Sequence, residues 1–448
     1  MDNLGIILTG LCTLIILRIV QSVPSAKVCM GVVCLVLVGL IIYYPPDVMN
    51  VVCFSAYIML IISMLYALSW CNDSAMLCDV CIYHVAFILG FYLLVISQDV
   101  ISMYVGMELA SFSAFLWIIV RAQDIFALEV GIKYLVVHII GSMCLVLALC
   151  MLAFIAHSVH IVDIIAYLSA FSASQDVSQV WVSMILVLWI MGLVIKMGIA
   201  PLQDLVADTY QAVAPIMLGF LGIMPRLMVW VVLWHLRDIR LLNPVVWLVV
   251  WSFFAVMSWI MGHVAALQQE RLSRLMAYAG VAQMGWVALA VALGTDKALY
   301  AALDFLLVYA AAWMMWVGCM VYLLHDDKEI QWLDQLSGLP HMKGYVYWSV
   351  IIIVSICTMS GLPPLIGFWV KFGIIRAAIT PLHIILACCG MIGSVIGAVY
   401  YVRIIYYAVV RSHYHKLRWI NSPGVIIPMG LGCVLACVTC VPVVLMSM

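Results

Sequence analysis

Along most of the chain, apolar residues run unbroken for about 20 positions at a time, the length that carries an α-helix across a hydrocarbon core. Short polar or proline-containing stretches separate the runs. Cutting at charges and prolines predicts about fourteen spans. They fall at 4–22, 28–45, 49–70, 80–97, 100–120, 127–155, 178–198, 212–236, 243–264, 273–293, 298–324, 344–378, 382–408 and 423–446. The first run, Leu4 to Val20, has no basic leader and no small-residue cleavage site, so it reads as an ordinary first helix and not a cleavable signal.

Two runs contain helix breakers. Pro201 follows Lys196 by five residues, and Gly361-Leu362-Pro363-Pro364 precedes Lys371 inside one long apolar segment. Both helices are expected to break, which is tolerable at membrane depth only where the freed backbone groups line a polar cavity. Spans four to eight and nine to thirteen form two sets of five, with Lys196 in the fourth span of the first set and Lys371 in the fourth of the second. The expected fold is therefore an all-α polytopic membrane protein of about 14 transmembrane helices, with two inverted five-helix repeats and breaks in helices 7 and 12. The corresponding domains are an N-terminal three-helix segment (1–75), a first repeat (76–238), a second, inverted repeat (239–410) and a C-terminal helix (411–448).

Composition agrees with the pattern. Of 448 residues, 68% are hydrophobic and 9% charged, which excludes a water-soluble globular domain. A net charge of −1 argues against a nucleic-acid partner. Among the 16 cysteines, Cys78 and Cys81 form a C-x-x-C and Cys433, Cys437 and Cys440 repeat at helical spacing. No second C-x-x-C completes a ligand set, so cysteine reads here as a small hydrophobe and no metal site is expected.

Basic residues set the orientation. Loops after odd-numbered spans hold Lys27, Arg121, Arg271, Arg274, Lys328, Lys343, Arg411, Lys416 and Arg418, against Arg237, Arg240, Lys297 and Arg376 in the even ones. The odd loops should face the cytoplasm or matrix, and both termini the intermembrane-space or periplasmic side.

Ionisable residues inside spans are costly, about 2.5–3.5 kcal/mol each on insertion scales, and mark function by default. Five stand out: Glu108, Lys133, Lys196, Arg226 and Lys371. Burial disfavours the charged form of an amine or a carboxylic acid, so a mixed row of both suits proton exchange along a hydrated chain. The alternative is a set of structural ion pairs or snorkelling side chains. His84, His138 and His263 also lie in spans, without a second signal for haem. His138 reads as a relay neighbour of Lys133, five residues away. Arg274, Gln283 and Asp304 are further polar candidates.

The motifs around these residues resemble the antiporter-like membrane subunits of NADH:quinone oxidoreductase (respiratory complex I) over essentially the full chain. Gly106-Met107-Glu108-Leu109 is similar to the family's fifth-helix glutamate motif and Gly131-Ile132-Lys133-Tyr134 to its G-x-K-Y. Lys196 with Ala200-Pro201-Leu202 and Asp208-Thr209-Tyr210-Gln211 resembles its K-x-x-x-x-P-F-H-x-W-x-P-D-x-Y-x-G. Arg271 to Trp286 resembles its tenth-helix K-R-L-L-A-Y-S-S-I-A-H-x-G-Y, and Gly361 to Lys371 its G-x-P-P-L-x-G-F-x-x-K. Leu306 to Val321 lacks the H-x-x-F-K of subunits 4 and 5 and is similar to the subunit-2 pattern.

The resemblance implies a proton-translocating membrane-arm subunit that couples NADH-to-quinone electron transfer to pumping. Glu108 and Lys196 would form a coupled pair, Lys133 and position 226 the connection along the membrane, and Lys371 the exit-side lysine. It implies no cofactor in this chain, with NAD, FMN, Fe–S clusters and quinone in other subunits. Partners would be neighbouring antiporter-like subunits and lipids. Departures from the family are Arg226 for a lysine, Gln203 and Gln283 for histidines, and Ala207 for a proline. A guanidinium stays charged, so Arg226 would tune its neighbours electrostatically instead of passing a proton. Two alternatives stay open: a stand-alone or Mrp-type Na⁺/H⁺ antiporter subunit, and a non-conducting scaffold. The divergent motifs, 16 cysteines and 29 methionines point to the mitochondrial inner membrane, with the bacterial plasma membrane as the alternative.

Overall fold

The computed structural model describes residues 74–119, 124–171, 179–325, 328–341, 345–378, 381–411 and 417–419, with single positions at 49, 52 and 56. Apart from those three positions, the predicted spans at 4–22, 28–45, 49–70 and 423–446 lie outside the described residues. So do Cys433, Cys437 and Cys440.

The helices are α1 (Ser74–Val95), α2 (Val100–Ile119), α3 (Ile125–Ala156), α4 (Ile161–Phe171), α5 (Gln179–Met197), α6 (Gln203–Ala212), α7 (Pro215–Leu221) and α8 (Met224–His235). After a 3-10 turn (Arg237–Leu242) follow α9 (Pro244–Gln268), α10 (Leu272–Ala292), α11 (Asp296–Tyr322), α12 (Tyr345–Ser360), α13 (Ile366–Ala377) and α14 (Pro381–Ile405). Among the described residues eight helical stretches are long and apolar enough to cross a membrane. The chain is an all-α polytopic membrane protein. Its described strands, β1 (Leu323–His325), β2 (Lys328–Glu329) and β3 (Leu417–Trp419), form one small antiparallel sheet ordered β2-β1-β3.

Local chemistry fixes the helix starts. The Asp124 carboxylate accepts the Phe126 N–H at 3.0 Å, Asn243 caps α9 just before Pro244, and Thr295 accepts from Ala298 at the start of α11. Each satisfies a backbone donor that has no partner inside its helix. The short α4 lies in what reads as a loop, since its eleven residues, though apolar, are too few to span. The predicted 212–236 span is also interrupted. Pro215 starts α7 afresh and the helix pauses at Gly222, where the Trp313 indole occupies the space a Cβ would need.

Both expected breaks are present. α5 ends at Gly198 (φ 66°) and α12 at Gly361 (φ 78°), left-handed conformations that favour glycine and stop the helix. In each case a proline follows three residues later, Pro201 and Pro364, and α6 and α13 resume beyond it. The Ala200–Pro201 and Pro363–Pro364 bonds are cis.

Packing divides the chain into two units, cut differently from the 76–238 and 239–410 repeats drawn from sequence. One holds the described residues of Met1–Lys196 and Met224–Leu242, the other those of Met197–Ile223 and Asn243–Met448. The polypeptide changes unit at the broken helix, directly after Lys196.

In the first unit α1 and α2 meet backbone to backbone. A Cβ on Gly106 would stand 2.6 Å from Leu94 N, and one on Gly90 2.6 Å from Ala110 N. No side chain there can move aside. Gly106→Val is therefore expected to force α1 from α2, displace Glu108 two residues on, and cost at least about 1–3 kcal/mol, the usual range for overpacking. A lowered unfolding midpoint of the detergent-solubilised protein and a reduced membrane level would register it.

In the second unit α10 and α11 form the core, buried beyond their first turns and covered by α9, α12, α13 and α14. Short backbone pairings tie loops of like parity within each unit. Val100 N–H donates to Val159 O and Ile161 N–H to Gln98 O in the first. In the second, Leu272 and Leu333 N–H donate to Gln331 O and Glu270 O, and β1 pairs with β3. The loops carrying Arg271, Lys328 and Arg418 thus share one side of that unit.

Candidate functional site

Glu108, in the middle of α2, and Lys196, in the last turn of α5, meet within the first unit. Lys196 Nζ donates to Glu108 Oε1 at 2.7 Å and to Ser111 Oγ at 3.0 Å. Ser111 Oγ in turn donates to Met107 O at 2.9 Å. From α3, Ser142 Oγ donates to the same Glu108 oxygen at 2.7 Å. The lysine side chain is 0% exposed and that of the glutamate 33%. A buried ammonium is thus neutralised by a carboxylate that is itself a third exposed, on a face it shares with the exposed Val105 and Phe112.

Lys371 is solvated differently. It stands on α13, past the second break, and its Nζ donates to Ser360 O at 2.8 Å and to Ser394 Oγ on α14 at 3.4 Å. Ser360 is the last residue of α12, so its carbonyl is freed by the break and sits at the negative end of that helix. The Trp286 ring lies 5.8 Å from Nζ. Among the described residues no carboxylate is within ion-pair reach of Lys371. Gly361 is needed for its φ and also for space, since a Cβ there would press on Lys371 Cδ at 2.8 Å.

Lys133 does not join Glu108 and Lys196. It pairs with Glu129 one turn back on α3, at 2.6 Å, on an outward face where the two side chains are 50% and 57% exposed. His138 points elsewhere, because five residues on a helix turn through about 140°. Its carbonyl accepts a contact from Ser142 at 2.9 Å, and its ring stacks on Tyr134 at 3.8 Å. His138 is therefore a neighbour of the Glu108 cluster and not of Lys133. Arg226 is buried on α8, whose neighbours in the first unit are α1 and α2.

A family model described as NADH:quinone oxidoreductase/Mrp antiporter, TM, matches residues 97–397, a stretch that includes all five charges. The chain belongs to this family. Named NADH-quinone oxidoreductase subunit N, a relative from Laribacter hongkongensis is 28% identical over 319 residues, covering 71% of this chain and 64% of its own. One of the same name from Polaromonas naphthalenivorans is 28% identical over 387 residues, covering 83% and 76%. The chain thus spans under two thirds of the Laribacter relative's length. The fold matches a chain of respiratory complex I from Thermus thermophilus (TM-score 0.78, 18% identity, 98% of this chain and 97% of that one). It also matches one of the Mrp complex from Dietzia (0.76, 15%, 98% and 93%).

Two motifs of the family that are far apart in sequence come together in the second unit. Arg274 Nη1, in the first turn of α10, donates to Asp208 Oδ1 at 2.5 Å and Gln211 Oε1 at 3.1 Å on α6. Its Nη2 donates to Tyr278 Oη at 3.2 Å, and that hydroxyl donates to Asp204 Oδ1 at 2.8 Å. This fork clamps the half-helix that follows the Pro201 break. Gln283 and Asp304 are buried on α10 and α11, away from these bonds. Pro201, Pro363 and Pro364 are at the breaks themselves, with exposed side chains at all three.

Sequence reasoning passed over Glu129, Ser111, Ser142, Ser360 and Ser394. Glu129 was within reach through its i,i+4 spacing to Lys133. The serines carried no signal, since their value lies in contacts across helices. Arg274→Lys is expected to lose the forked contacts, because an ammonium is a point donor. For a cluster about a quarter exposed the loss should be about 1 kcal/mol. Faster proteolysis in residues 197–212 with an intact Glu108–Lys196 site is the readout.

Proposed function

We propose that this chain is a proton-translocating, antiporter-like membrane subunit of a complex I-type NADH:quinone oxidoreductase. The observation that carries the reading is the buried Lys196–Glu108 pair at a helix break, held by Ser111 and Ser142. While the pair is closed the carboxylate holds the proton on the amine. Opening it leaves a buried ammonium without its counter-ion and lets the proton leave. Lys371, solvated by a carbonyl and a hydroxyl, is a second station on the same kind of path. Arg226 keeps its charge throughout and biases its neighbours.

On this reading the chain takes part in an oxidoreductase reaction without holding a redox site. NAD, FMN, Fe–S clusters and quinone belong to other subunits, which drive the pair open and closed. Neighbouring antiporter-like subunits and lipids surround it, and Lys133 with Glu129 lies on an outward face where the path along the membrane would continue. The bacterial origin of the relatives named above supports the plasma membrane over the mitochondrial inner membrane. The shared side of the Arg271, Lys328 and Arg418 loops supports placing those loops in the cytoplasm, with the termini opposite.

The fold shared with an Mrp complex chain favours one second reading, a Na⁺/H⁺ antiporter subunit. Pumping assays on the assembled complex separate them. Loss of NADH-driven pumping in Glu108→Gln supports the first reading. Unchanged pumping there removes it, and sodium-dependent proton exchange without NADH turnover would put the second in its place.

A further inference from the structure

We propose that His263 is a further proton-accepting group beside Lys371, passing its proton to the hydroxyl of Tyr400. The inference rests on the proton-translocation reading above. His263 is on α9 and fully enclosed. Its Nδ1 is 3.1 Å from Tyr400 Oη on α14, while its Nε2 is buried and makes no hydrogen bond among the described residues.

The imidazole lies in a groove made for it. Gly393 and Gly397 are one turn apart on α14, and a Cβ on the first would stand 3.2 Å from Nε2, one on the second 2.8 Å from Cε1. Ser394, adjacent to Gly393, accepts from Lys371. The segment Gly393-Ser394-x-x-Gly397-x-x-Tyr400 therefore meets the lysine through Ser394 and the imidazole through Gly393, Gly397 and Tyr400. Lys371 is within electrostatic range of the ring. Arg403, three residues beyond Tyr400, donates to Leu267 O at 2.9 Å and Gln269 O at 2.6 Å, clamping the end of α9 to α14. Tyr401 and Tyr309 are the nearest further phenols to Tyr400.

Nε2 lies against Gly393, the residue beside the serine that Lys371 bonds. An apolar side chain would fill the groove equally well. An open Nε2 facing Ser394's neighbour is what a proton acceptor needs. In the step envisaged, an N–H bond of the Lys371 ammonium breaks and its proton passes through the Ser394 hydroxyl to Nε2. Lys371 is left as a neutral amine and His263 as an imidazolium. The Nδ1 proton then moves to Tyr400 Oη as that hydroxyl's own proton passes to water, and the imidazole is neutral again.

The test uses the assembled complex in sealed vesicles, with proton uptake per NADH oxidised measured from about pH 5.5 to 8.5, the range over which an imidazole titrates. His263→Gln and Tyr400→Phe should each lower this chain's share of uptake at least about tenfold, as loss of a positioned proton-transfer group does. Electron transfer from NADH to an artificial acceptor should be unchanged. His263→Gln should also flatten the pH profile of uptake, which a packing role would not move. Wild-type uptake and profile in both variants, with Glu108→Gln impaired, would overturn the inference alone. Wild-type uptake in all three would overturn the underlying reading as well. If His263→Gln fails to assemble, Tyr400→Phe, which keeps the ring, decides.

Discussion

Glu108→Gln is expected to abolish proton movement through the chain and to destabilise it more than Lys196→Met does. The asymmetry follows from burial. The lysine side chain is 0% exposed and the glutamate 33%, so removing the carboxylate's charge strands an ammonium whose other hydrogen-bond partner among the described residues is the Ser111 hydroxyl. Breaking a buried pair in this way costs about 3–5 kcal/mol. Removing the lysine instead leaves a partly exposed carboxylate still bonded by Ser142, for which a loss of about 1–3 kcal/mol is the appropriate scale. The double variant Glu108→Gln with Lys196→Met should recover much of the stability, since the buried ammonium is gone along with its counter-ion, and none of the transport. Unfolding midpoints of the three variants give the coupling as a double-mutant cycle. Equal midpoints for the two single variants would refute the burial argument.

Lys371 should respond in the opposite sense. It holds a buried charge with no carboxylate in reach among the described residues, where its hydrogen bonds go to the Ser360 carbonyl and the Ser394 hydroxyl. Lys371→Met removes that charge and keeps the volume, and is expected to stabilise the second unit by up to about 3 kcal/mol, the scale of the membrane cost of a lysine. Transport through the chain should fall by about 10²–10⁴-fold, the usual contribution of a positioned acid or base. Lys371→Arg separates charge from chemistry. It keeps the cation over Trp286 but holds its proton at any relevant pH, so transport should fail without the gain in stability. A destabilised Lys371→Met protein, or one that still transports, would show that the lysine ties helices together and does no more.

The two lysines read as equivalent from sequence, each in the fourth span of a five-helix set and each beside a proline. Their surroundings differ because one precedes its break and the other follows it. Lys196 closes α5 and reaches a carboxylate on another helix. Lys371 lies on the resumed half, α13, and reaches back to the carbonyl that the break set free. Residue spacing along the chain places a lysine near a break, but which group it meets depends on where the helices cross.

The same limit applies to Lys133. α3 is apolar on all sides, so nothing in its pattern says which face turns inward, and the structure turns Lys133 and Glu129 out. Arg274 shows the converse. Its charge was read both as part of a basic loop that sets orientation and as a further polar candidate, without a partner assigned, and it proves to bind Asp208 and Gln211 on the half-helix after the break.

What the sequence determined by itself is what depends on local length, chemistry and backbone conformation. Runs of apolar residues long enough to span marked the helices, Pro201 and the Gly361-Leu362-Pro363-Pro364 run marked the two breaks, and charges too costly for lipid marked the candidate residues. What only the tertiary structure decided is which of those charges share a site. A helix uniformly apolar around its circumference carries no record of its neighbours, and the pairing of Glu108 with Lys196 is fixed by packing as close as Gly90 on Gly106, which brings α1 against α2 and sets where the carboxylate stands.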